Sequence, residues 1–314
     1  MNITVILCTY NRCRSLLKTL DSVAASTLPD SVRWEVLVVD NNSSDQTPEV
    51  VEEFCQQHRG RFRYIFERRQ GKSHALNTGI QEARGDVFAF MDDDVTVDPD
   101  WLQNLTASLQ GDEWAGAGGR ILPEGNFSPP RWLALNGPYA MRGALVLFDL
   151  GGRPGRLDCA PWGTNMAFRR VMFEKYGGFR TDLGPRPGSE IRNEDTEFGR
   201  RLMARGEHLW YAPSAVVYHA VPENRIKKKF FLQWWFDHGR ADIREDSKRC
   251  DSWHLGIPHA IRGMLSVTLR WLLALSSQRR FYFKTQIWLA AGQIVEAYRQ
   301  RQSGPTKQTN TRNA

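Results

Sequence analysis

Residues 87–95, with the sequence Val-Phe-Ala-Phe-Met-Asp-Asp-Asp-Val, decide the fold that we expect for this chain. An apolar run of strand length ends in three consecutive carboxylates, Asp92, Asp93 and Asp94. Three carboxylates at a strand end are costly to hold without a positive partner. Mg2+ and Mn2+ bind carboxylate oxygen, usually from one or two side chains, with water and substrate phosphates completing the shell. The motif therefore indicates a metal that holds a diphosphate.

A structural interpretation of the same acidic residues stays open. They could form a solvated turn before a helix, because Asp98-Pro99 has the pattern of an N-cap followed by a first-turn proline. Asp98 alone would suffice as that cap, which leaves the three earlier carboxylates without a structural task. The apolar stripe of this predicted helix consists of Trp101, Leu102, Leu105 and Leu109.

The first half of the chain alternates short apolar runs with amphipathic helical patterns. Residues 3–7 and 34–39 are rich in β-branched side chains without clean polar alternation, which is typical of strands buried on both sheet faces. This order predicts an α/β fold with a Rossmann-like, mostly parallel central sheet flanked by helices. The helical patterns place on one face Leu16, Leu17, Leu20 and Val23, and then Val50, Val51 and Phe54.

Polar residues follow the ends of three predicted strands. They occupy residues 9–12 after the first strand, 40–43 after the second, and 92–94 after a later one. Ligands bind at the carboxyl ends of the strands in parallel sheets. We therefore expect these three loops to converge on one rim of the sheet.

Eight short motifs follow one another over roughly the first 220 residues, and chance matches to short motifs do not keep a fixed order. In this order they resemble the family 2 glycosyltransferases of the bacterial surface-polysaccharide type, which have the GT-A fold. The motifs are Val5-Ile6-Leu7-Cys8-Thr9-Tyr10-Asn11-Arg12, Val38-Val39-Asp40-Asn41-Asn42-Ser43-Ser44-Asp45, Gly71-Lys72-Ser73-His74-Ala75-Leu76-Asn77, Asp92-Asp93-Asp94, Gly163-Thr164-Asn165-Met166-Ala167-Phe168-Arg169, Gly177-Gly178-Phe179, Asn193-Glu194-Asp195-Thr196-Glu197-Phe198 and Val217-Tyr218-His219.

The resemblance implies a nucleoside diphosphate sugar as donor. Asp40 would accept a hydrogen bond from a ring N–H of the base, which favours UDP but also suits guanine and thymine; an Asx-turn is the alternative. Gly71 would let the backbone approach the nucleotide, and Lys72 and Arg12 would contact phosphate or base, although Lys72 could equally be a solvated loop lysine. Asp92 would contact the ribose. The further donor-site residues are Thr9, Tyr10, Asn11, Asn42, Asn77 and Asp93.

The resemblance also implies Mn2+ or Mg2+ as cofactor. Asp94 would ligate a metal that bridges the two phosphates, with Asp93 assisting either Asp92 or Asp94. His219 follows a strand-like segment and would complete the metal shell, as in some family members. A hydrogen-bonded structural histidine is the alternative for this position.

Glu194 and Asp195 begin a helical pattern and are the candidates for acid–base chemistry. Sugar transfer requires a carboxylate that takes the proton of the acceptor hydroxyl. By resemblance to inverting members, Asp195 is the base and Glu194 orients it or the acceptor; favourable interaction with the helix dipole is the alternative. The acceptor residues are expected to be Trp162, Gly163 and Asn165, although Trp162 could equally pack in the core.

The positive charge of the chain is concentrated in its C-terminal part. Residues 225–314 contain 17 Lys and Arg against 6 Asp and Glu, so the net charge of +7 arises there. Basic residues beside apolar helical stripes suit an anionic membrane surface, contacted by residues 225–300, while padding of the sheet is the alternative. Arg270 and then Arg279-Arg280 interrupt any run long enough to cross a bilayer. The two stripes are Ile261, Leu265, Leu269, Leu272 and Leu273, and Ile287, Trp288, Ala291, Ile294, Val295 and Tyr298.

Three parts are expected along the 314 residues: a GT-A domain at 1–224, a basic amphipathic helical extension at 225–302, and a disordered tail at 303–314. Five cysteines without a Cys-x-x-Cys pair, and no secretory signal, favour a cytoplasmic protein. The basic extension adds a peripheral position on the cytoplasmic membrane face as an expectation. Nucleic acid is disfavoured as a partner, because the acidic rim would repel phosphate in the absence of metal.

The expected activity is inverting transfer of a single sugar from a nucleoside diphosphate sugar to a hydroxyl of a lipid-linked saccharide, in cell-surface polysaccharide assembly. Polymerising relatives carry Gln-x-x-Arg-Trp, and residues 267–271 lack its glutamine. A sugar-phosphate nucleotidyltransferase is one alternative, although residues 9–14 are not the Gly-rich basic loop that it requires. A nicotinamide dehydrogenase is disfavoured, because this sequence lacks the Gly-x-Gly-x-x-Gly loop that such an enzyme requires after its first strand. A non-catalytic scaffold of the same fold also stays open.

Overall fold

The structure of the protein is a computed structural model that describes residues 1–245 and 253–302. This part of the chain forms two compact units. The first consists of Met1–Pro129 and Met141–Ile226, and the second of Pro130–Ala140 with the described residues from 227 onward. The tail expected at 303–314 lies outside the described residues. Membership of Pro130–Ala140 in the second unit has no signal in the local sequence.

One nine-stranded sheet forms the centre of the first unit. Its order is β3-β2-β1-β4-β8-β6-β9-β5, with β7 paired to β9. The β3-β2-β1-β4 half is parallel; β8 is antiparallel to β4 and β6, β6 and β9 are parallel, and β5 and β7 are antiparallel to β9. The strands are β1 (Asn2–Thr9), β2 (Arg33–Asp40), β3 (Phe62–Phe66), β4 (Val87–Met91), β5 (Val95–Val97), β6 (Gly116–Pro123), β7 (Gly155–Arg156), β8 (Met166–Arg169) and β9 (Leu209–His219).

Six α-helices accompany this sheet, so the α/β fold predicted from the sequence is confirmed. One boundary differs from expectation: the helix after the Asp triplet begins at Trp101, and the Asp98 carboxylate accepts the N–H of Asp100 instead of capping the helix. The helices are α1 (Leu16–Ala24), α2 (Thr47–Gln57), α3 (Lys72–Glu82), α4 (Trp101–Thr106), α5 (Arg170–Tyr176) and α6 (Glu194–Met203).

The core consists of two apolar clusters, and successive residues of β1 alternate between them. Val5 and Leu7 belong to the cluster that includes α1, α2 and α4, while Ile6 belongs to the cluster that includes α3, α5 and α6. All three side chains are fully buried. Because helices cover both faces, β1 is apolar at consecutive positions from Val5 to Leu7 instead of alternating with polar residues there.

Strand register aligns the loops that carry the polar motifs. Thr9 lies opposite Asp40, and Leu7 lies opposite Met91, the last residue before the Asp triplet. The loops after β1, β2 and β4 therefore leave the sheet at one edge. On the other half of the sheet, His219 ends β9 opposite Val95, the residue that follows the triplet.

Three long helices make up most of the second unit: α7 (Lys228–Glu245), α8 (Trp253–Leu272) and α9 (Ser277–Gln302). The helical extension predicted from the sequence is confirmed. The segment Pro130–Ala140 packs here through Trp132, whose ring lies 5.1 Å from Phe231 and 4.5 Å from Phe281. No helix among the described residues is both long and apolar enough to cross a membrane.

Helices α7 and α9 approach each other closely at two glycines. A Cβ atom at Gly239 would collide with the carbonyl oxygen of Leu289, and one at Gly292 with the carbonyl oxygen of Phe236. Glycine at both positions therefore allows backbone-to-backbone contact that any larger residue would prevent.

The same two helices share a buried ionic network that we call the helix clamp: Asp237, Arg240, Arg244 and Glu296. Arg240 Nε donates to Glu296 Oε2 at 3.0 Å, and Arg240 Nη1 donates to Asp237 Oδ1 at 3.1 Å. Arg244 Nε donates to the other Glu296 oxygen, and Gln233 donates to the other Asp237 oxygen at 2.9 Å. All four carboxylate oxygens of the clamp thus have donors.

Candidate active site

The Asp triplet is joined to chain-distant residues at the rim of the sheet. Asp92 accepts hydrogen bonds from Lys72 Nζ and Thr164 Oγ1, each at 2.6 Å. Asp93 Oδ2 accepts from Thr9 Oγ1 at 2.7 Å. Four segments far apart in the chain therefore meet here, and two of them are the loops after β1 and β4 that we expected to converge.

Lys72 links the Asp triplet to the first turn of α6. This residue begins α3 directly after Gly71, whose φ of +134° favours glycine. Its ammonium is 2.6 Å from Asp92 and 3.5 Å from Glu194. Burial lowers the pKa of Lys72, but Asp92, Glu194 and Asp195 outweigh burial and raise the pKa well above its usual value. Burial raises the pKa of Asp92, and Lys72 with Thr164 reverses this, lowering the pKa to about 2.

The negative charge of Asp93 is less well neutralised than that of Asp92. Burial, followed by the neighbouring Asp94 carboxylate, raises the pKa of Asp93 to about 6, against the opposing effects of Arg12 and Thr9. Arg12 Nε is 3.6 Å from Asp93, and Arg12 Nη2 is 3.7 Å from Asp94. One guanidinium is therefore shared between two carboxylates, which leaves negative charge at the rim.

Asp94 and His219 are brought together as the sequence predicted. His219 Nε2 is 3.6 Å from Asp94 Oδ1, and the Arg225 guanidinium contacts both residues. Burial lowers the pKa of His219, with Arg225 adding to this and Asp94 opposing it. The neutral ring, which is the form that binds metals, is therefore favoured at neutral pH.

These residues fit a metal that shares its shell with substrate. In residues 1–245 and 253–302, no cluster of three or more His, Cys, Asp or Glu side chains could enclose a metal ion. Asp94 and His219 would supply two ligands, and Mg2+ in phosphate-binding sites usually takes one or two protein side chains with substrate phosphates. Within the part of the chain that the structure describes, the buried His219 Nδ1 has no hydrogen-bond partner, and the polar contact of the ring is made through Nε2. The donor set thus suits a metal bound with a diphosphate.

Asp195 and Glu194 lie in the first turn of α6, as predicted, but in different surroundings. Asp195 is partly exposed, and its two oxygens accept the N–H groups of Gly163 at 2.5 Å and Thr196 at 2.7 Å. Glu194 is buried, and its Oε2 has no hydrogen-bond partner among the described residues. Burial and Asp195 raise the pKa of Glu194 to about 7, although Lys72 opposes them. Asp195 is the carboxylate that an acceptor can reach.

The predicted base-binding residue Asp40 has both carboxylate oxygens bonded within the protein, although its bond to Ser43 spans three residues and not the two of an Asx-turn. Its Oδ1 accepts the Ser43 N–H at 3.0 Å, its Oδ2 accepts the Tyr64 hydroxyl at 2.9 Å, and the side chain is fully buried. A base that bonded to Asp40 would have to replace or share one of these donors. The role of Asp40 in base recognition stays a prediction.

Asn11 and Asn42 shape the loops beside Asp40. Both have a left-handed backbone, with φ of 53° and 62°, which asparagine adopts more readily than most residues. Asn11 Oδ1 accepts the Ser44 N–H at 2.8 Å, which ties the loop after β1 to the loop after β2. Tyr10, directly before Asn11, has an exposed side chain that a ligand can contact.

Two predicted site residues have their amide groups occupied within the protein. Asn77 bonds to the backbone N–H and C=O of Phe179, both at 2.8 Å. Asn165 is fully buried, donates to the carbonyls of Arg120 and Ala215, and accepts from Trp101 Nε1 at 2.8 Å. The structure brings neither amide to the rim surface. An acceptor would meet the neighbours of Asn165 instead of its side chain.

Gly163 and Trp162 lie next to Asp195. A Cβ atom at Gly163 would be 2.9 Å from Asp195 Oδ2, so a side chain there would disturb the carboxylate. Trp162 is half-buried, with its ring 5.4 Å from Phe148. One face of Trp162 thus packs in the core, as its structural alternative proposed, while the partial exposure leaves stacking on a sugar open.

Sequence reasoning missed three residues that hold the site together. Thr164 was inside a recognised motif but had no role, Arg225 was counted only as part of the basic extension, and Glu67 was not noticed. Glu67 is buried and bonds to Arg69 N, Nε and Nη2. Hydrogen bonds from Arg69 and Thr78 lower the pKa of Glu67 to about 2 despite burial. The available signal in the sequence was an acidic residue directly after the strand-like run 62–66.

The fold and this rim define a class of protein, the GT-A glycosyltransferases. The family described as Glycosyl transferase family 2 matches residues 4–177, more than half of the chain, and the chain belongs to this family.

Two curated relatives align over most of the chain. The succinoglycan biosynthesis protein ExoM of Rhizobium meliloti is 28% identical over 299 residues, which covers 94% of this chain and 92% of the relative. The glycosyltransferase AglE of Haloferax volcanii is 27% identical over 233 residues, which covers 73% of this chain and 70% of the relative.

Two solved structures share the fold. The mannosyltransferase PcManGT from Pyrobaculum calidifontis, in complex with GDP-Man and Mn2+, has a TM-score of 0.65 at 19% identity, with 95% of this chain and 87% of that chain covered. GalNAc-T7 with UDP, GalNAc and Mn2+ has a TM-score of 0.55 at 19% identity, with 70% and 43% covered. At these identities the likeness is one of fold.

Proposed function

We propose that the protein is a metal-dependent, inverting glycosyltransferase that moves one sugar from a nucleoside diphosphate sugar to a hydroxyl of a saccharide acceptor. One observation carries the proposal. The Lys72 ammonium contacts both Asp92, on the predicted donor side, and Glu194, which precedes the predicted base Asp195. The acids for the donor and for proton removal therefore belong to one site. The succinoglycan biosynthesis name of ExoM supports a role in polysaccharide assembly.

The residues take the following roles in the proposed reaction. The acceptor oxygen forms a bond to the anomeric carbon while the bond to the diphosphate oxygen breaks, and the acceptor proton passes to Asp195. Attack opposite the leaving group inverts the configuration at that carbon. The N–H groups of Gly163 and Thr196 hold the Asp195 carboxylate in place. Asp94 and His219 would hold Mn2+ or Mg2+, which would neutralise charge on the diphosphate.

The donor half of the site uses the loops after β1, β2 and β4. Asp92 contacts the ribose, and Arg12 contacts phosphate, since a guanidinium matches phosphate oxygens. Asp40 and the exposed Tyr10 receive the base. UDP is favoured by the carboxylate at position 40, and GDP is the first alternative because PcManGT is complexed with GDP-Man.

A lipid-linked acceptor is the finer part of the proposal. It is supported by a relative named glucosyl-dolichyl phosphate glucuronosyltransferase in Haloferax volcanii, 26% identical over 247 residues and covering 75% of each chain. Such an acceptor lies at a membrane surface, so the enzyme would be peripheral on the cytoplasmic face. No such acceptor is needed for the chemistry at Asp195.

Contact with an anionic membrane is proposed through the C-terminal extension, residues 225–300. Three residues of α8 and the residue that follows it, which together we call the leucine row, are spaced as on one helical face and are 57–66% exposed: Leu265, Leu269, Leu272 and Leu273. Residues 253–302 contain seven Lys and Arg but only Glu296 as an acid, and the clamp buries that acid. An apolar row with a basic surround suits the headgroup layer of anionic lipid, whereas a second copy would bring like charges together.

Thermal unfolding with nucleotides tests the proposed activity. UDP, GDP and dTDP, with NADH as the contrasting ligand, are each added with and without Mn2+. A ligand at 100 times its Kd stabilises the native state by about 2.7 kcal/mol, so one nucleoside diphosphate should raise Tm only with metal. Asp94→Asn should abolish the metal-dependent part.

The alternatives have their own outcomes in this experiment. A shift with NADH alone would favour a dehydrogenase, and no shift with any ligand would favour a scaffold without turnover. An equal shift with and without Mn2+ in both the wild type and Asp94→Asn would remove Asp94 from metal binding.

A further inference from the structure

The guanidinium of Arg225 lies between the two side chains assigned to the metal. Its Nη2 donates to Asp94 Oδ2 at 3.3 Å, and its Nη1 is 2.9 Å from His219 Nε2. Arg225 belongs to the short 3-10 helix Glu223–Ile226, and its side chain is mostly buried, 24% exposed. One side-chain cation therefore contacts both predicted metal ligands at once.

This contact determines the tautomer of His219. Arginine is always protonated and only donates hydrogen bonds. A 2.9 Å approach of Nη1 to Nε2 therefore requires a lone pair on Nε2, which puts the ring proton on Nδ1. A lone pair on Nε2, next to a carboxylate, is also what a metal ion uses. The guanidinium thus engages the same acceptors that a divalent cation would need.

We propose that Arg225 is an internal cation that occupies the metal position in the nucleotide-free protein and leaves it when Mn2+ binds with a nucleoside diphosphate. The inference rests on the proposed function, because it requires Asp94 and His219 as metal ligands. Two cations cannot share these acceptor atoms at bonding distance, since their mutual repulsion is strong at such separations. Metal binding therefore requires displacement of the guanidinium.

Displacement gives Arg225 a second partner. A guanidinium pairs with phosphate oxygens through two parallel N–H bonds. The displaced guanidinium can therefore replace its hydrogen bond to Asp94 with bonds to the diphosphate, whereas binding of metal alone gives it no new partner. By linkage, a nucleotide that favours the displaced state raises metal affinity, and metal raises nucleotide affinity by the same factor. Free metal is thereby kept out of the site until a donor arrives.

Mn2+ titration of the full-length protein, followed by the electron paramagnetic resonance of free Mn2+, tests this role. The titrations use wild type, Arg225→Gln and Arg225→Lys, each with and without UDP, or GDP if that is the nucleotide which binds. Arg63→Gln is the matched control, because Arg63 is 26% exposed and paired with Glu35 at 3.0 Å in the same unit. Circular dichroism melts show that each variant folds.

Without nucleotide, Arg225→Gln should bind Mn2+ about tenfold more tightly than wild type. The nucleotide should then improve Mn2+ affinity less than it does in wild type. Arg225→Lys separates occupancy from charge, because lysine keeps the charge but lacks the fork that bridges Asp94 and His219. If Arg225 acts by occupancy, Arg225→Lys should also bind Mn2+ more tightly; if it acts only by charge, Arg225→Lys should match wild type.

The outcomes separate this inference from the proposed function. Mn2+ affinities of both Arg225 variants equal to those of wild type and Arg63→Gln would overturn the inference while leaving the metal site in place, provided that Asp94→Asn still loses Mn2+. Absence of nucleotide-dependent Mn2+ binding in wild type would overturn the proposed function and the inference with it. Tighter binding in Arg225→Gln alone would also reject occupancy.

Discussion

The rim of the first unit is a partly exposed group of charges with more carboxylates than cations, whereas the helix clamp of the second unit is a largely buried group in which the charges balance. At the rim, five carboxylates, at 92, 93, 94, 194 and 195, face the cations of Arg12, Lys72 and Arg225 among the described side chains. In the clamp, two carboxylates face two arginines, and every carboxylate oxygen has a donor. The rim therefore keeps an excess of negative charge, and the clamp keeps none.

The difference is visible in the pKa values. Burial with too few cations raises the pKa of Asp93 to about 6 and that of Glu194 to about 7. A buried carboxylate that holds its proton near neutrality is one that the fold has not stabilised as an anion. Paired charges serve the fold, whereas the surplus at the rim is available to bind positive charge from outside the protein. The comparison can be broken by removing single carboxylates from each group.

The largest expected effect is on the clamp. Glu296→Gln removes the acid that both Arg240 and Arg244 contact and leaves two buried arginines without it, which should lower the free energy of unfolding by about 3–5 kcal/mol. Urea unfolding measures this change. Glu82→Gln is the control, since Glu82 is half-exposed and 3.6 Å from Arg63, and surface pairs contribute at most about 1 kcal/mol. Equal effects of the two variants would show that the clamp is not stabilising.

A rim carboxylate should behave in the opposite way, with catalysis lost and stability kept. Asp195→Asn should lower kcat by about 100-fold or more, because removal of a general base costs that much, while donor binding is retained. Single-turnover transfer measures the rate, and the thermal shift with nucleotide measures binding. Glu197→Gln, on the same turn but paired with Arg201 at 2.9 Å, is the control. Loss of nucleotide binding in Asp195→Asn would make Asp195 structural.

Glu194→Gln should stabilise the protein while impairing transfer. The folded pKa of Glu194, about 7, lies above its ordinary value of 4.5, so the native state binds more protons than the unfolded state between these pH values. The contribution of Glu194 to the free energy of unfolding therefore falls as pH rises from 4.5 to 7. Because glutamine does not ionise, Glu194→Gln should be more stable than wild type by about 1–3 kcal/mol at pH 7. Melts across this pH range measure the effect. A steeper pH dependence in the variant would contradict the assignment.

The smallest expected effect concerns the leucine row and the basic residues around it. Leu269→Glu should reduce association with liposomes of anionic lipid by about tenfold, as burial of one leucine contributes about 1.5–3 kcal/mol. Association should also fall with salt. Leu150→Glu, at a leucine that is 50% exposed in the first unit, is the control. Binding that ignores salt and both substitutions would leave the helices with a purely structural role.

The sequence predicted the sheet and its rim because the relevant signals are local. The runs at 3–7 and 34–39 became β1 and β2, each longer at both ends. A strand covered on both faces is apolar throughout, and a short pattern suffices to recognise it. The first turn of α6 at Glu194 followed from the same kind of local reasoning.

The parts that escaped prediction depend on distant partners. Asn77 and Asn165 are in recognised motifs, but their amides hold Phe179 and Trp101, residues far away in the chain. A motif indicates which residue type is required at a position, but it does not indicate whether that residue binds a ligand or forms a hydrogen bond within the protein. Arg225 escaped for the opposite reason, since a count of basic residues treats a bridging guanidinium and a surface lysine alike.

The way that Pro130–Ala140 belongs to the second unit has a consequence for exchanging parts between related enzymes. The chain enters that unit at 130, returns at 141 and enters again after 226, so the helices are not a terminal appendage. A truncation after residue 226 would strip Trp132 of Phe231 and Phe281 and leave an indole in water. A chimera that exchanges the C-terminal helices should exchange Pro130–Ala140 with them. Otherwise Trp132 comes from one parent and its ring partners come from the other.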